Sequence, residues 1–212
     1  MRNTFDRFNG RHQDYQAARP SYAQEFLDWL GELYAPPERY TAADIGSGTG
    51  KLSAQLLAAG FRVCGVEPNP DMRGAAEALL GGDPRFSSSN GTDHDTGLPD
   101  RSVDMVAAAQ AFHWFDGPAF ARECRRILRP GGRAVLVWNV RGSAPMNQAL
   151  AQVFREHCPS FHGFTGGMGE DDPRIRDFFG GAYEKRRFPN PLTLDRDRFL
   201  RRCFSSSYAL RE

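Results

Sequence analysis

Three glycines at alternate positions form the first stretch of this sequence whose residue types and spacing could do chemistry. The stretch reads Ala43-Asp44-Ile45-Gly46-Ser47-Gly48-Thr49-Gly50. A predicted buried strand, Thr41 to Ile45, leads into it, and a predicted helix, Lys51 to Ala59, follows it. A strand, a glycine turn and a helix present backbone N–H groups and the positive helix end to a ligand, which can approach glycine without meeting a Cβ. The stretch therefore predicts a binding loop.

The glycine spacing distinguishes this loop from two other nucleotide-binding loops. A dinucleotide fingerprint needs G-x-G-x-x-G, whereas position 51 here is lysine. A P-loop needs Ser or Thr after Gly-Lys, but Leu52 follows Lys51, so no hydroxyl is placed for Mg²⁺. Glycines that serve only the packing of a strand, a turn and a helix are the alternative interpretation.

A second carboxylate follows the next predicted strand, Phe61 to Val66. That strand runs into Glu67-Pro68-Asn69-Pro70. The two oxygens of Glu67 suit the vicinal hydroxyls of a ribose, and a glutamate in a surface turn is the alternative. Met72, in a predicted helix over Asp71 to Leu80, would either cover an adenine or pack in the core.

Strands and helices alternate along the rest of the first two thirds of the chain. Further strands are predicted over Arg85 to Ser89, Ser102 to Ala109 and Ala134 to Trp138. Asp116 begins a helix that stops at Arg129-Pro130-Gly131-Gly132. The alternation predicts an α/β fold with a mostly parallel sheet and helices on both faces.

Polar residues follow each predicted strand at its carboxyl end, where ligands bind in such sheets. They are Asp44, Glu67, the segment Asn90 to Asp93, and Gln110 onward. Their coincidence at one edge of the sheet predicts one shared pocket.

Length and composition exclude several classes of protein. A chain of 212 residues with 40% apolar residues favours one domain, and a net charge of +1 gives no electrostatic case for nucleic acid or membrane partners. No stretch approaches the roughly 18 apolar residues of a membrane span. The four cysteines form no C-x-x-C pair and no apolar leader is visible, so we expect a reduced, cytoplasmic setting.

No metal site is predicted. His157, Cys158 and His162 are irregularly spaced beside a glycine-rich stretch, and we interpret them as loop residues. The polar segment before a predicted helix near Pro20 is interpreted as a lid, with Tyr15 and Arg19 facing the ligand; surface residues are the alternative.

Four motifs in chain order carry a family resemblance. They are Asp44-x-Gly46-x-Gly48-x-Gly50, Val66-Glu67-Pro68-Asn69, Asn90-Gly91-Thr92 with Leu98-Pro99 and Ser102-Val103-Asp104, and Arg126-Ile127-Leu128-Arg129-Pro130-Gly131-Gly132. In this order they resemble the class I S-adenosylmethionine-dependent methyltransferases of the type 11 domain group. The resemblance implies a Rossmann-like sheet and S-adenosylmethionine as cofactor, with S-adenosylhomocysteine as product.

A further segment, from Ala109 to Asp116, resembles relatives of trans-aconitate methyltransferase. One departure is that the carboxylate after Gly91 stands at Asp93, one position later than in many members, because Thr92 takes its place. The cofactor-binding residues implied are Tyr15, Arg19, Asp44, Gly46, Ser47, Gly48, Gly50, Glu67, Pro68, Met72, Thr92, Asp93 and Gln110.

We expect a single methyltransferase domain over residues 1–212, with a lid and helix over 1–34, a cofactor-binding core over 41–140 and an acceptor side over 141–212. In the last part, helices are predicted over 143–158 and 195–208, a loop over 160–172 and a sixth strand over 183–188. The antiparallel strand that usually closes this fold is not found before Glu212, so the C-terminal strand pair is expected to be incomplete.

Methyl transfer to a small-molecule acceptor is the leading functional hypothesis, with a carboxylate as one candidate acceptor. Its catalysis needs mainly proximity and exclusion of water, which suits a sequence without a catalytic triad. His113 would contact the acceptor, Trp114 would wall its pocket, and Arg141 would pair with an acceptor carboxylate. A non-catalytic cofactor-binding module, a nicotinamide-dependent oxidoreductase and a macromolecular methyltransferase are the alternatives. The oligomeric state is left open.

Overall fold

Five parallel strands form one sheet in the order β3-β2-β1-β4-β5. The computed structural model describes residues 20–142, 144–165 and 167–204. The strands are β1 (Thr41–Ile45), β2 (Arg62–Val66), β3 (Phe86–Ser89), β4 (Val103–Ala109) and β5 (Leu128–Val137). Because the chain winds outward from β1 to β3 and then returns to β4, the direction of winding reverses between β1 and β4. Ligands bind at such a switch point, at the carboxyl ends of the strands.

Helices cover both faces of this sheet. They are α1 (Gln24–Leu33), α2 (Lys51–Ala58), α3 (Pro70–Leu80), α4 (Gly117–Ile127), α5 (Pro145–His157), α6 (Pro173–Phe179) and α7 (Arg196–Phe204), with 3-10 turns at Pro37–Arg39 and Phe112–Trp114. No described helix combines the length and the apolar composition needed to cross a lipid bilayer.

The side chains of each strand alternate between two hydrophobic cores. Ala42 and Val63 pack with α1 and α2 in one core, whereas Ala43 and Cys64 pack with α4 and α6 in the other. A third, smaller cluster joins α5 to α7 through Phe154 and neighbouring apolar residues. Burial on both faces explains the nearly continuous apolar runs of β1, β2 and β4.

Local sequence signals account for the helix starts. The side chain of Asn69 accepts hydrogen bonds of 3.0 Å from two backbone N–H groups at the start of α3. The predicted aspartate cap of α4 is confirmed, since Asp116 accepts a 3.0 Å hydrogen bond from the Ala119 N–H. These caps satisfy backbone donors that would otherwise have no partner in the helix.

The last strand begins earlier than the predicted Ala134. Leu128 already pairs with Val103, the chain then bulges outward, and pairing resumes with Arg133 opposite Met105. The bulge contains the predicted proline and glycine turn. Arg129 lies within it and donates a 2.7 Å hydrogen bond to Asp104 of β4, which ties the bulge to the sheet.

The prediction of a sixth strand over 183–188 is wrong. This segment is irregular and crosses α1, where the Phe188 ring lies 5.8 Å from Phe26 and 6.0 Å from Trp29. Arg186 places its guanidinium 5.0 Å from the Trp29 ring centroid. Exposed charged residues fill the middle of the segment, so it has no apolar alternation to bury against the sheet.

Candidate functional site

A cleft of about 700 Å³, counting its open mouth, lies at the carboxyl ends of β1 and β4. Its lining residues come from the glycine loop, the ends of the central strands, the start of the described chain and α7. They are Pro20, Tyr22, Asp44, Gly46, Ser47, Gly48, Thr49, Lys51, Leu52, Ala109, Gln110, Asn139, Arg141, Phe164 and Arg202. The cleft therefore lies where the direction of winding reverses between β1 and β4, which is where the polar residues at the strand ends predict a pocket.

The three glycines of the loop serve different purposes, although all have positive φ. A Cβ on Gly46 would lie 2.8 Å from the Ala111 Cβ, and one on Gly50 would lie 2.9 Å from Leu80 Cδ1. A Cβ on Gly48 would meet nothing within 4 Å. Gly46 and Gly50 thus permit close packing, which the packing-only interpretation anticipated, whereas Gly48 faces open space at the cleft.

Asp44 places a buried carboxylate directly beneath the loop. It is fully buried at the end of β1, and one oxygen accepts a 2.7 Å hydrogen bond from Ser53 of α2. Burial raises the pKa of Asp44 to about 6, against the opposing hydrogen bonds from Ser53. The carboxylate is consequently ionised at neutral pH but lies close to its titration range.

In the cleft lining, the second carboxylate oxygen of Asp44 and the hydroxyl of Thr49 are buried and have no hydrogen-bond partner among the described residues. Buried polar groups are nearly always satisfied, so this pair marks a place for polar groups of a ligand. A ligand with an ammonium group, such as the methionine end of S-adenosylmethionine, fits the Asp44 oxygen.

Glu67 holds the glycine loop against the end of β2. Its two oxygens each accept a 2.9 Å hydrogen bond, one from the Gly48 N–H and one from the Asn69 N–H. Burial raises the pKa of Glu67, and these two N–H groups together with Arg73 oppose the rise. The side chain is buried, so the interpretation as a surface-turn glutamate is wrong. Each oxygen keeps acceptor capacity for a ribose hydroxyl.

Arg73 is one residue at this edge that sequence reasoning missed. Its guanidinium donates 2.8 Å and 3.0 Å hydrogen bonds to the Glu67 carbonyl and to the Asn90 side chain. It also lies 3.4 Å from the Pro68 carbonyl oxygen. Arg73 thus ties the end of β2 to the end of β3. Only its position in the first turns of α3 could have indicated this.

The predicted adenine-side residues mainly hold their own loop together. Asp93 accepts a 3.0 Å hydrogen bond from the Asp116 N–H, which docks the loop onto the start of α4. The Thr92 hydroxyl accepts a 3.1 Å hydrogen bond from the Asp95 N–H. Met72 is buried in α3. Asp93, Thr92 and Met72 are not among the described residues that line the cleft.

Gln110 has a backbone conformation that is uncommon for a residue with a side chain, with φ of 56°. Its N–H donates to the Val137 carbonyl at 2.8 Å, and its side chain donates to the Asn139 carbonyl at 3.2 Å. Such backbone strain concentrates at functional sites. Gln110 lines the cleft together with the glycine loop and Asn139.

The predicted acceptor-side residues separate into two groups. Arg141 lines the cleft, with its guanidinium carbon 4.1 Å from the centroid of the Phe164 ring. His113 and Trp114 lie in the 3-10 turn after β4 with their rings 4.9 Å apart, and they are not among the described lining residues. Tyr15 and Arg19 fall outside the described residues.

A polar network that sequence reasoning missed holds the wall of the cleft. The Ser21 carbonyl accepts hydrogen bonds from the side chains of Asn139 and Asn190, at 3.3 Å and 2.8 Å. Asn190 also donates to the Asn139 side chain at 2.8 Å. Because these residues are far apart in the sequence, no local pattern could have indicated their meeting. Ser53 and Arg202 were missed for the same reason.

Comparison with known families matches the central part of this chain. The model of a family described as a methyltransferase domain matches residues 43–136. That range runs from the end of β1 through β5 and includes the glycine loop, Glu67 and Gln110.

Two similar proteins carry methyltransferase names. An uncharacterized methyltransferase of Mycobacterium tuberculosis is 42% identical over 127 residues, which cover 60% of this chain and 49% of that protein. The chain thus spans about half the length of this relative. A solved structure from Anaeromyxobacter dehalogenans, described as a type II methyltransferase, is 32% identical, with a TM-score of 0.54 over 82% of this chain and 70% of that one.

A third similarity concerns the fold alone. A solved structure from Methanococcus maripaludis, described as an S-adenosylmethionine-dependent methyltransferase, has a TM-score of 0.60 at 20% identity and covers 85% of each chain. None of these comparisons shows the narrower resemblance to trans-aconitate methyltransferase. The chain therefore belongs to the methyltransferases, with the Rossmann-like fold of their class I.

Proposed function

We propose that this protein transfers the methyl group of S-adenosylmethionine to a small molecule that binds on the Arg141 side of the cleft. One observation carries the proposal: a single cleft joins the glycine loop and Asp44 at one end to Arg141 and Phe164 at the other. Donor and acceptor sites in one cleft are what transfer by proximity requires.

The cofactor side of the cleft is built by backbone groups and two buried acids. When bound, S-adenosylmethionine supplies a methyl group already activated on a sulfonium. Asp44 would accept a hydrogen bond from its ammonium group, and Gly48 would let it lie against the backbone. Glu67 would hold the loop in place while it accepts the ribose hydroxyls. These residues orient the donor and leave the chemical step to its own reactivity.

A carboxylate is the candidate acceptor group. An ionised carboxylate needs no general base, and no histidine is found among the cleft-lining residues that the structure describes. The only acid in that lining, Asp44, is already held by Ser53 beneath the loop. His113 as a base and Trp114 as a wall stay part of the proposal for acceptors that lose a proton, such as phenols.

Membership of a methyltransferase family favours methyl transfer over hydride transfer to a nicotinamide. A cofactor-binding module without catalysis is the second candidate, because the described lining of the cleft holds no histidine that could act as a base. We propose that the protein acts in the cytoplasm on a small molecule, without a nucleic-acid or membrane partner, since its net charge is only +1.

The direct test is a screen of carboxylic acids, phenols and amines with isotopically labelled S-adenosylmethionine, read by mass spectrometry. We expect labelled methyl product from wild-type protein and none from Gly48→Val. Tight binding of S-adenosylhomocysteine without product from any class would support the non-catalytic module. Failure to bind S-adenosylhomocysteine would contradict both candidates.

A further inference from the structure

The cleft carries an excess of positive charge. Its described lining contains three cationic side chains, Lys51, Arg141 and Arg202, and one acid, Asp44. S-adenosylmethionine carries a sulfonium and an ammonium against one carboxylate, so its binding adds further positive charge. An acceptor with negative charge is therefore electrostatically complementary to the loaded cleft.

Arg141 is oriented by an aromatic stack. Its guanidinium carbon lies 4.1 Å from the centroid of Phe164. Phe164 is in turn packed against Phe161 and Phe154, with ring centroids 5.2 Å and 6.1 Å away. A guanidinium group that lies over a ring face has its N–H donors at the edge of its own plane, the geometry that matches a planar acid.

Arg202 reaches the same end of the cleft from α7. The next residue, Cys203, is buried with Phe154 in the cluster that joins α5 to α7. Burial raises the pKa of the Cys203 thiol, and the charges of Arg141 and Arg202 oppose the rise. Arg141 and Arg202 both line the cleft, so the packing of α7 brings the two residues to one cavity.

We propose that Arg141 and Arg202 form an anion-binding subsite and that the acceptor is an organic acid held there by its anionic group. This inference rests on the methyl transfer proposed above. Two guanidinium groups offer planar sets of donors that match the oxygens of a carboxylate or a phosphate. Arg202 would then be a specificity-determining residue, because its charge favours acids among the possible acceptors.

The competing assignment is that the two arginines bind the carboxylate of the cofactor itself. It makes a different prediction, because loss of either arginine would then weaken binding of S-adenosylhomocysteine. An acceptor subsite leaves that affinity unchanged and affects only the binding of a second, anionic ligand.

The test uses four variants of the full chain: Arg141→Gln, Arg202→Gln, Arg202→Lys and Arg201→Gln. Arg201 is the matched control, because it is exposed on the same helix and does not line the cleft. Calorimetry gives the S-adenosylhomocysteine affinity of each variant. The thermal shift caused by sodium sulfate is then measured on protein saturated with S-adenosylhomocysteine, against sodium chloride of equal ionic strength.

We expect the S-adenosylhomocysteine affinity of each variant to lie within about twofold of the wild-type value. Sulfate should raise the melting temperature of wild type and of Arg201→Gln in a saturable way. The shift should be lost in Arg141→Gln and Arg202→Gln and partly kept in Arg202→Lys, which retains the charge. Equal sulfate shifts in all variants, or loss of S-adenosylhomocysteine affinity in both glutamine variants, would overturn the subsite.

Paired substrates test whether the acceptor needs its anionic group. Each acid of the labelled screen is tested beside its primary amide. We expect methylation of acids but not amides, with the acceptor KM raised by about tenfold or more in Arg202→Gln. Amides that react as well as acids would overturn the inference. A sulfate shift that depends on both arginines, without product from any compound, supports the subsite and counts against methyl transfer.

Discussion

The carboxylate of Glu67, at the end of β2, accepts a 2.9 Å hydrogen bond from the backbone N–H of Gly48 in the glycine loop. The predicted ribose acid and the predicted cofactor loop are therefore directly hydrogen-bonded to each other. A change at either residue is expected to affect cofactor binding through the other.

Loss of the Glu67 carboxylate is expected to weaken cofactor binding while the fold persists. Glu67→Ala removes a charged acceptor from the loop and from the ribose, so the affinity for S-adenosylhomocysteine should fall by about 1–3 kcal/mol. Calorimetric titration measures this loss. Glu77→Ala is the control, because Glu77 is exposed on α3 and its closest charged contact, with Arg73, spans 3.7 Å. Equal affinities in wild type and Glu67→Ala would remove Glu67 from the site.

A side chain at Gly48 is expected to block the cofactor. Gly48 has φ of 56° and faces the cleft, so Gly48→Val places a branched side chain where the ligand lies and strains the backbone as well. Calorimetry should detect no binding of S-adenosylhomocysteine. Gly74→Val serves as the control, since Gly74 is exposed on α3 and a Cβ there would also meet nothing within 4 Å. A folded Gly48→Val protein that binds normally would refute this placement of the ligand.

Cofactor affinity is expected to depend on pH through Asp44. Burial raises the pKa of Asp44 to about 6, and only the ionised form can pair with an ammonium group. Affinity should therefore fall by up to about tenfold per pH unit below pH 6 and level off above it. Asp44→Asn should bind more weakly at neutral pH and lose this dependence. A wild-type affinity that stays constant from pH 5 to 8 would show that the Asp44 carboxylate does not pair with the ammonium group of the ligand.

The stability of the fold is expected to depend on pH through Glu123, whose pKa is shifted in the opposite direction to that of Asp44. Burial disfavours the charged form, but hydrogen bonds from Arg126 and Thr96 outweigh it and lower the pKa of Glu123 to about 2. A lowered pKa means that the stabilisation is present above the unfolded value of 4.5 and is lost as the pH falls toward about 2. Urea unfolding at neutral pH should show that Glu123→Gln is less stable than wild type by about 1–2 kcal/mol. The loss is no larger because Arg126 is partly exposed, and solvent weakens its interaction with Glu123.

The difference between the two proteins should shrink as the pH falls below about 4.5, since the carboxyl then binds a proton in the unfolded chain before it does so in the folded protein. Glu156→Gln, on the exposed surface of α5, is the control and should match the stability of wild type at neutral pH and at low pH. A difference that persists unchanged at low pH would mean that Glu123 acts through shape and packing, with no contribution from its charge.

Local patterns in the sequence determined the fold class and the binding loop. The apolar runs of β1, β2 and β4 and the helices between them predicted a parallel sheet, which the structure confirms. Gly46, Gly48 and Gly50 predicted the loop, because left-handed backbone conformations are a local property that glycine adopts easily. The capping of α4 by Asp116 was equally local and equally predictable.

Only the tertiary structure decided which distant side chains share the cleft. Asp44 accepts a hydrogen bond from Ser53 on the following helix, the Ser21 carbonyl accepts one from Asn190, and Arg202 of α7 lines the same cleft as Arg141. It also decided against a sixth strand over 183–188, since Phe188 packs on α1 instead. These contacts depend on how helices pack over the sheet, and the free energy of such packing is summed over residues that no short window of sequence brings together.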